Sequence, residues 1–168
     1  VDNCYGEFVS EHEPTYYGAD LMAGSLIKNP GGGLAKMGGY VAGRHDLVEL
    51  AGYRMTTPAT GREARASLNE NKDMYQGFFL APHVVAQAKK AAVLASYAMS
   101  ALGFETSPVP GSERTDIVQA IKFFDPDKMI AFCRGVQKGA PIDAFATPEP
   151  CDMPGYSDKV IMAAGSFI

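Results

Sequence analysis

Three residues near the start of the sequence carry side chains that could act together on a small molecule: Asp2, Ser25 and Lys28. Asp2 is predicted to end one strand and Ser25 to end the next, with Lys28 just beyond. The chain between Asp2 and Lys28 is long enough for the crossover of a dozen or more residues that parallel strands require. Ligands of open α/β sheets lie outside the carboxyl ends of the strands, so we expect an acid, a hydroxyl and an amine to face one crevice.

This combination of side chains is what pyridoxal 5'-phosphate (PLP) requires from a protein. A lysine amine binds the cofactor covalently, an aspartate keeps the pyridine nitrogen protonated, and hydroxyl or backbone donors hold the phosphate. Once substrate has displaced Lys28, the same amine could remove the substrate α-proton. Most Asp and Lys residues at such a separation are surface charges, so the spacing alone does not select this chemistry.

Several elements are needed to position these three residues. The apolar, small-residue run from Ala19 to Ile27 predicts a buried strand, and Gly39 to Gly43 predicts a second short strand. Residues 29–33 (NPGGG) between them predict a turn. A helix is predicted from His45 to Met55, because its apolar residues recur at helical spacing.

The pattern changes in the second half of the chain. Residues 79–102 predict a long alanine-rich helix whose regular part begins near Pro82 and which Gly103 caps. Residues 104–108 and 116–123 then alternate like half-exposed strands joined by a turn.

A further helix is predicted to begin at Asp125-Pro126-Asp127, with Asp125 as the N-cap. Its predicted buried face consists of Met129, Ile130, Cys133 and Val136. Two predicted strands followed by this predicted helix indicate an α+β region. We therefore predict two domains, residues 1–90 and 91–168, with the boundary inside the long helix.

Composition narrows the class of protein. The 168 residues are 46% hydrophobic and 20% charged, with a formal net charge of −4, so the chain is long and apolar enough to bury a core of the size of an ordinary domain. The acidic balance, with a pI near 5.3, argues against nucleic acid or an anionic membrane as partner.

Three cysteines without a CxxC spacing favour a reducing, cytoplasmic setting, and the three scattered histidines do not indicate a metal site. The sequence contains no signal-peptide pattern and no apolar run of transmembrane length. It begins at Val1 and ends on an apolar run, residues 160–168, which we interpret as a strand of a longer chain.

Several motifs resemble a known group of proteins. Gly18-Ala19-Asp20, Ser25 and Lys28 are similar to the G-A-D-x-x-x-x-S-x-x-K segment of the cystathionine and methionine lyases, and Asp2-Asn3 resembles the Asp-Asn pair that precedes it there. Residues 24–33 (GSLIKNPGGG), 80–85 (LAPHVV), 147–150 (TPEP) and 153–156 (MPGY) resemble the bacterial aluminium-resistance, or methionine γ-lyase-like, family. The resemblance spans essentially the whole chain.

The resemblance implies a fold-type I, aspartate aminotransferase-like PLP enzyme: the end of the PLP-binding α/β large domain, followed by a smaller α+β C-terminal domain. Lys28 would bind PLP covalently, Asp2 would pair with the pyridinium, and Ser25 would bind the phosphate. The activity would be a carbon–sulfur lyase acting on a sulfur amino acid by β- or γ-elimination, in a homo-oligomer (dimer or tetramer). Ile27 departs from the threonine that better-known lyases have before the lysine.

Other interpretations remain open. The chain could be a non-catalytic fragment of such an enzyme, inactive without an N-terminal half that would carry the glycine-rich phosphate loop and the residue that stacks on the pyridine ring. Arg114 and Arg134 are candidates for binding the substrate carboxylate, and neither is selected by its sequence context. A dinucleotide-dependent oxidoreductase lacks its glycine fingerprint, and the glycines at 31–33 are not followed by the Gly-Lys-Ser/Thr of a P-loop.

Overall fold

The computed structural model describes residues 1–55, 60–64 and 66–163, in which two pairs of short strands are each followed by α-helix. The strands are β1 (Leu21–Ser25), β2 (Gly39–Gly43), β3 (Glu105–Ser107) and β4 (Ala120–Lys122), and the α-helices are α1 (His45–Gly52), α2 (Asn71–Ala101) and α3 (Pro126–Gly139). Single 3₁₀ turns cover Pro14–Tyr17, Asn29–Gly31 and Gly61–Ala64. The chain is thus a mixed α/β protein, with α1 ending at Gly52 rather than at Met55 as predicted.

The residues form two compact units, Val1–Ala120 and the part from Ile121 onward. The whole of α2 belongs to the first unit. The division into domains 1–90 and 91–168 stays a prediction.

The first unit contains an antiparallel pair, β1 and β2. Their register runs from Leu21 opposite Gly43 to Ser25 opposite Gly39. The predicted 19–27 strand is therefore present in shortened form, but it is half-buried rather than buried, and Ala23 is exposed. The reason is that β2 is the one extended strand that pairs with β1 along its length among the described residues.

Helix α2 is longer than the sequence predicts. It begins at Asn71 and continues through Pro82, so the expectation that its regular part begins near Pro82 is wrong. A proline inside a helix lacks the N–H that would bond to Phe78 and costs about 3 kcal/mol. Burial of Gly77, Ala81 and Val85 around that point supplies the packing that offsets this cost.

The end of α2 agrees with the prediction. Gly103 has a left-handed φ of 88°, and its N–H donates to the carbonyl of Ser100, while the N–H of Phe104 donates to the carbonyl of Met99. Paired bonds of this kind satisfy the last carbonyl groups of a helix, and glycine adopts the required φ without strain. Gly103 is thus confirmed as the cap.

In the second unit, α3 begins where the sequence predicts. The Asp125 side chain accepts hydrogen bonds from the backbone N–H of Asp127 at 2.9 Å and of Lys128 at 3.5 Å, which confirms it as the N-cap. The predicted apolar face is only partly covered, because Ile130 and Cys133 are half-buried while Met129 and Val136 are exposed.

The end of the second unit is described in part. An antiparallel bridge joins Cys151 to Val160. Residues 164–168 of the predicted terminal strand lie outside the described residues.

Candidate functional site

Asp2 and Ser25 lie at the same edge of the sheet. Asp2 forms a parallel bridge with Ala23, in which the Asn3 N–H donates to the Ala23 carbonyl at 2.8 Å and the Ala23 N–H donates to the Val1 carbonyl at 3.0 Å. Side chains alternate along a strand, so Asp2, Ala23 and Ser25 project from one face. The parallel neighbours inferred from spacing are therefore present, and the end of β1 carries the serine.

A backbone donor orients the Asp2 carboxylate. The Cys4 N–H donates to Asp2 Oδ1 at 3.0 Å, and this bond holds the pKa of Asp2 below its usual value. A hydrogen bond to the charged form of an acid favours ionisation. In return, the neighbouring Asp2 carboxylate raises the pKa of the Cys4 thiol. Asp2 is thus a fixed anion beside a neutral cysteine.

Ser25 and Lys28 occupy a tight turn that leaves β1. The Ile27 N–H donates to Ser25 Oγ at 3.4 Å, and the Lys28 N–H donates to the Ser25 carbonyl at 3.3 Å. Both Ser25 and Lys28 are half-buried. Lys28 Nζ lies 5.3 Å from the centre of the Tyr5 ring, which is within the range of a cation–π contact. The turn therefore holds both candidate residues next to the segment that carries Asp2.

The turn that follows Lys28 is clamped against α2. A Cβ placed on Gly77 would lie 2.8 Å from the carbonyl carbon of Gly31, and one placed on Gly32 would lie 2.9 Å from the carbonyl carbon of Gly77. Real Cβ atoms do not approach carbonyl carbon this closely, so only glycine permits the two backbones to cross here. The Gly31 N–H also donates to the Lys28 carbonyl at 2.9 Å. This glycine contact ties the position of Lys28 to a long helix.

The two arginines considered for substrate binding have other partners. Arg114 is 4% exposed and donates to the carbonyls of Val118 at 3.0 Å and Ala92 at 3.3 Å, and to the side-chain oxygen of Gln119. These bonds satisfy its guanidinium inside the first unit. Arg114 is therefore placed as a structural link between α2 and the segment before β4.

Arg134 belongs to the second unit and lies on the surface of α3. Its guanidinium pairs with the Glu149 carboxylate and donates to the Pro148 carbonyl. Exposed pairs of this kind contribute at most about 1 kcal/mol. The contact joins α3 to the segment that contains Pro148 and Glu149, and it assigns no substrate role to Arg134.

Among the residues that the structure describes, no set of three or more His, Cys, Asp or Glu side chains converges in a way that could hold a metal ion. Over the same residues, no helix has both the length and the apolar character that crossing a membrane demands.

The sequence of the chain matches one protein family over its full extent. The family model described as methionine gamma-lyase matches residues 1–168. The chain belongs to the methionine gamma-lyase family, as the motif resemblance predicts.

Individual relatives agree with this assignment. The chain is 60% identical to the uncharacterized protein YnbB of Bacillus subtilis, over 100% of the chain and 40% of that protein. A solved structure from Listeria monocytogenes, described as a candidate cystathionine β-lyase involved in aluminium resistance, is 56% identical with a TM-score of 0.93, over 100% of this chain and 42% of that one. A carbon-sulfur lyase involved in aluminium resistance from Clostridium novyi is 54% identical with a TM-score of 0.92, over 100% and 39%. The chain thus spans about two fifths of the length of these relatives.

Two contacts of the site are absent from the sequence-based prediction. The Tyr5 ring beside Lys28 has no motif of its own, although its distance of three residues from Asp2 places it near that edge. The Cys4 N–H donates to Asp2 Oδ1, and the Cys4 thiol also interacts with the Asp2 carboxylate. The backbone bond does not depend on residue type, so the sequence gives no sign of it.

Proposed function

We propose that this chain provides the lysine-bearing part of a PLP-dependent carbon–sulfur lyase that acts on a sulfur amino acid by β- or γ-elimination. The observation that carries the proposal is the parallel bridge between Asp2 and Ala23, because it brings Asp2 to the strand edge where Ser25 ends β1 and Lys28 follows it. The names of the Listeria and Clostridium relatives support the class of reaction. The fold-type I arrangement of a large and a small domain is part of the same proposal.

The donor set at this edge fits PLP. When bound, PLP supplies an electron-accepting ring that stabilises negative charge developing at the substrate α-carbon. Asp2 would pair with the protonated pyridine nitrogen, and the lowered pKa of Asp2, caused by the Cys4 N–H, suits it to remain the anion that this pairing requires.

Ser25 would hold the phosphate. Its Oγ accepts one hydrogen bond from the Ile27 N–H, and a serine hydroxyl keeps one donor for a phosphate oxygen. Ile27 supplies no hydroxyl where related lyases have threonine, so further phosphate contacts must come from other parts of the protein.

Lys28 would bind the cofactor through Nζ and later carry a proton. After substrate takes its place, the same amine would remove the proton from the substrate α-carbon. In β-elimination the thiolate would then leave from the β-carbon; in γ-elimination a proton would also have to leave the β-carbon before the thiolate departs from the γ-carbon. The turn from Ser25 to Gly31 and its contact with α2 limit how far the Lys28 backbone can move. We expect the full-length protein to be a homo-oligomer, as fold-type I enzymes generally are.

The alternative is that these residues alone form a non-catalytic portion of such an enzyme. The observation that favours it is that the chain spans about two fifths of its relatives. Assaying the 168-residue chain beside the full-length protein for PLP binding and thiol release separates the two interpretations.

Borohydride trapping tests the proposed role of Lys28. The full-length, PLP-loaded protein should carry a pyridoxyl mass increment on the peptide that contains Lys28, and Lys28→Ala should lose the increment and the yellow absorbance. Lys36→Ala is the matched control. Lys36 is an exposed lysine eight residues after Lys28, and its side chain pairs with Glu70 and Asp73. An unmodified Lys28 in the PLP-loaded wild-type protein would refute the proposal.

A further inference from the structure

A buried acid and a half-buried phenol lie against the opposite face of the strands that carry the candidate site. The Tyr40 hydroxyl donates to Glu7 Oε1 at 2.8 Å, and Glu7 is only 4% exposed. Glu7 Oε2 is buried and has no hydrogen-bond partner among the described residues. Burial raises the pKa of Glu7 and also that of Tyr40. Burial disfavours the charged form of each group, and the hydrogen bond between them joins the segment that contains Glu7 to β2.

The pair touches a sequence neighbour of each of the three candidate residues. Asn3, next to Asp2, directs its side-chain amide toward the Tyr40 hydroxyl at 3.4 Å. Gly24, next to Ser25, lies directly opposite Tyr40 on β2. A Cβ on Gly24 would stand 2.5 Å from Glu7 Oε1 and 2.6 Å from the Tyr40 hydroxyl, so a side chain there would displace the pair.

The third neighbour is Asn29, which follows Lys28. It is 6% exposed, and its side-chain amide donates to the Glu7 backbone carbonyl at 3.0 Å. The Glu7 residue thus contacts the turn after Lys28 through its main chain and the two strands through its carboxyl group.

Strand geometry explains why the contacts fall on neighbours rather than on the candidate residues themselves. Successive side chains point to opposite faces, so Asp2 and Ser25 on one face place Asn3 and Gly24 on the other. A group held beneath Asn3 and Gly24 constrains the backbone without occupying the ligand side. On the same face, Glu13 accepts from the Asn3 amide at 2.7 Å and completes the support of this segment.

We propose that Glu7 and Tyr40 are positioning residues that align Asp2, Ser25 and Lys28 for the cofactor from behind the strands. This inference rests on the proposed function, because Asp2, Ser25 and Lys28 need alignment for PLP only if PLP binds to them. It requires a hydrogen-bond acceptor for the Tyr40 hydroxyl at position 7, which glutamine supplies and alanine does not.

The test compares Tyr40→Phe, Glu7→Ala and Glu7→Gln in the full-length protein. Tyr53→Phe and Glu11→Ala are the matched controls, because both residues are exposed. Amide hydrogen exchange of the PLP-free protein is measured at the Cys4 and Lys28 amides. The Kd for added PLP is measured by absorbance titration. All measurements are made well below the unfolding temperature of each variant.

Tyr40→Phe and Glu7→Ala should speed exchange at the Cys4 and Lys28 amides and weaken PLP binding by about tenfold, the scale that one lost buried hydrogen bond supports. Glu7→Gln should stay close to the wild type, because its amide oxygen still accepts from Tyr40. If Tyr40→Phe does not fold, the comparison of alanine with glutamine at position 7 carries the same conclusion.

Other outcomes overturn one proposal or the other. Unchanged exchange and unchanged PLP binding in both Tyr40→Phe and Glu7→Ala refute the positioning role, while trapping at Lys28 leaves the proposed function standing. If the wild type binds no PLP, the proposed function fails and alignment for the cofactor fails with it, even where exchange at Cys4 and Lys28 responds to the variants.

Discussion

Replacing Gly77 with alanine should destabilise the protein, although the same change inside a helix normally stabilises it. Alanine is favoured over glycine in helix interiors by about 1 kcal/mol. At Gly77 the added Cβ would lie 2.8 Å from the carbonyl carbon of Gly31 and closer still to its oxygen. Overpacking costs about 1–3 kcal/mol, and a backbone obstacle puts this site at the upper end. The net expectation is a loss of about 2 kcal/mol, since the helix preference offsets part of the strain.

The matched control is Gly135→Ala in α3. A Cβ on Gly135 meets nothing within 4 Å, so the helix preference acts alone and the variant should gain up to about 1 kcal/mol. Thermal unfolding followed by circular dichroism should place the Tm of Gly77→Ala below the wild type by roughly 4–8 °C and that of Gly135→Ala slightly above it. A Tm for Gly77→Ala that rises as it does for Gly135→Ala would refute the close backbone contact.

Two further expectations concern polar contacts. Arg114→Leu should lower the free energy of unfolding by about 2–3 kcal/mol, because it leaves buried carbonyl groups unpaired, whereas Arg134→Ala should cost less than about 1 kcal/mol, because its pair with Glu149 is exposed. Urea unfolding measures both, and equal losses would contradict the assignment of Arg114 as a buried structural link. Asp125→Ala should cost about 1 kcal/mol by removing the N-cap of α3, seen as faster amide exchange in the first turn of that helix. Unchanged exchange there would show that the cap is dispensable.

Features with a local cause could be predicted from the sequence. Asp125 followed by Pro126 marks the start of α3 because an N-cap acceptor and a residue without an N–H both act within one turn. Gly103 marks the end of α2 for a similar reason. The predicted start of α2 is too late, because the packing that carries the helix through Pro82 comes from residues distant in sequence.

In the candidate site, too, some features could be predicted from the sequence and others depend on residues distant along the chain. Asp2 and Ser25 were expected at one edge because strand order and crossover length constrain it, and the parallel bridge agrees. Their chemical roles stay a prediction. The Glu7–Tyr40 pair could not be anticipated, because the two residues are 33 positions apart and no sequence pattern places Glu7 beside the predicted strand that contains Tyr40. Burial of a glutamate runs against its residue type, so only three-dimensional packing reveals it.

The glycine contact beside Lys28 also has a mechanical consequence. Helix α2 contains 31 residues and is therefore about 46 Å long, yet it crosses the lysine turn at Gly77, close to its first end. The arm from Gly77 to Ala101 is itself held within the first unit, because Ala92, Ser96 and Met99 are buried and the Ala92 carbonyl accepts a hydrogen bond from Arg114. The turn that carries Lys28 is therefore braced against a helix that is fixed at points far from that turn along the sequence.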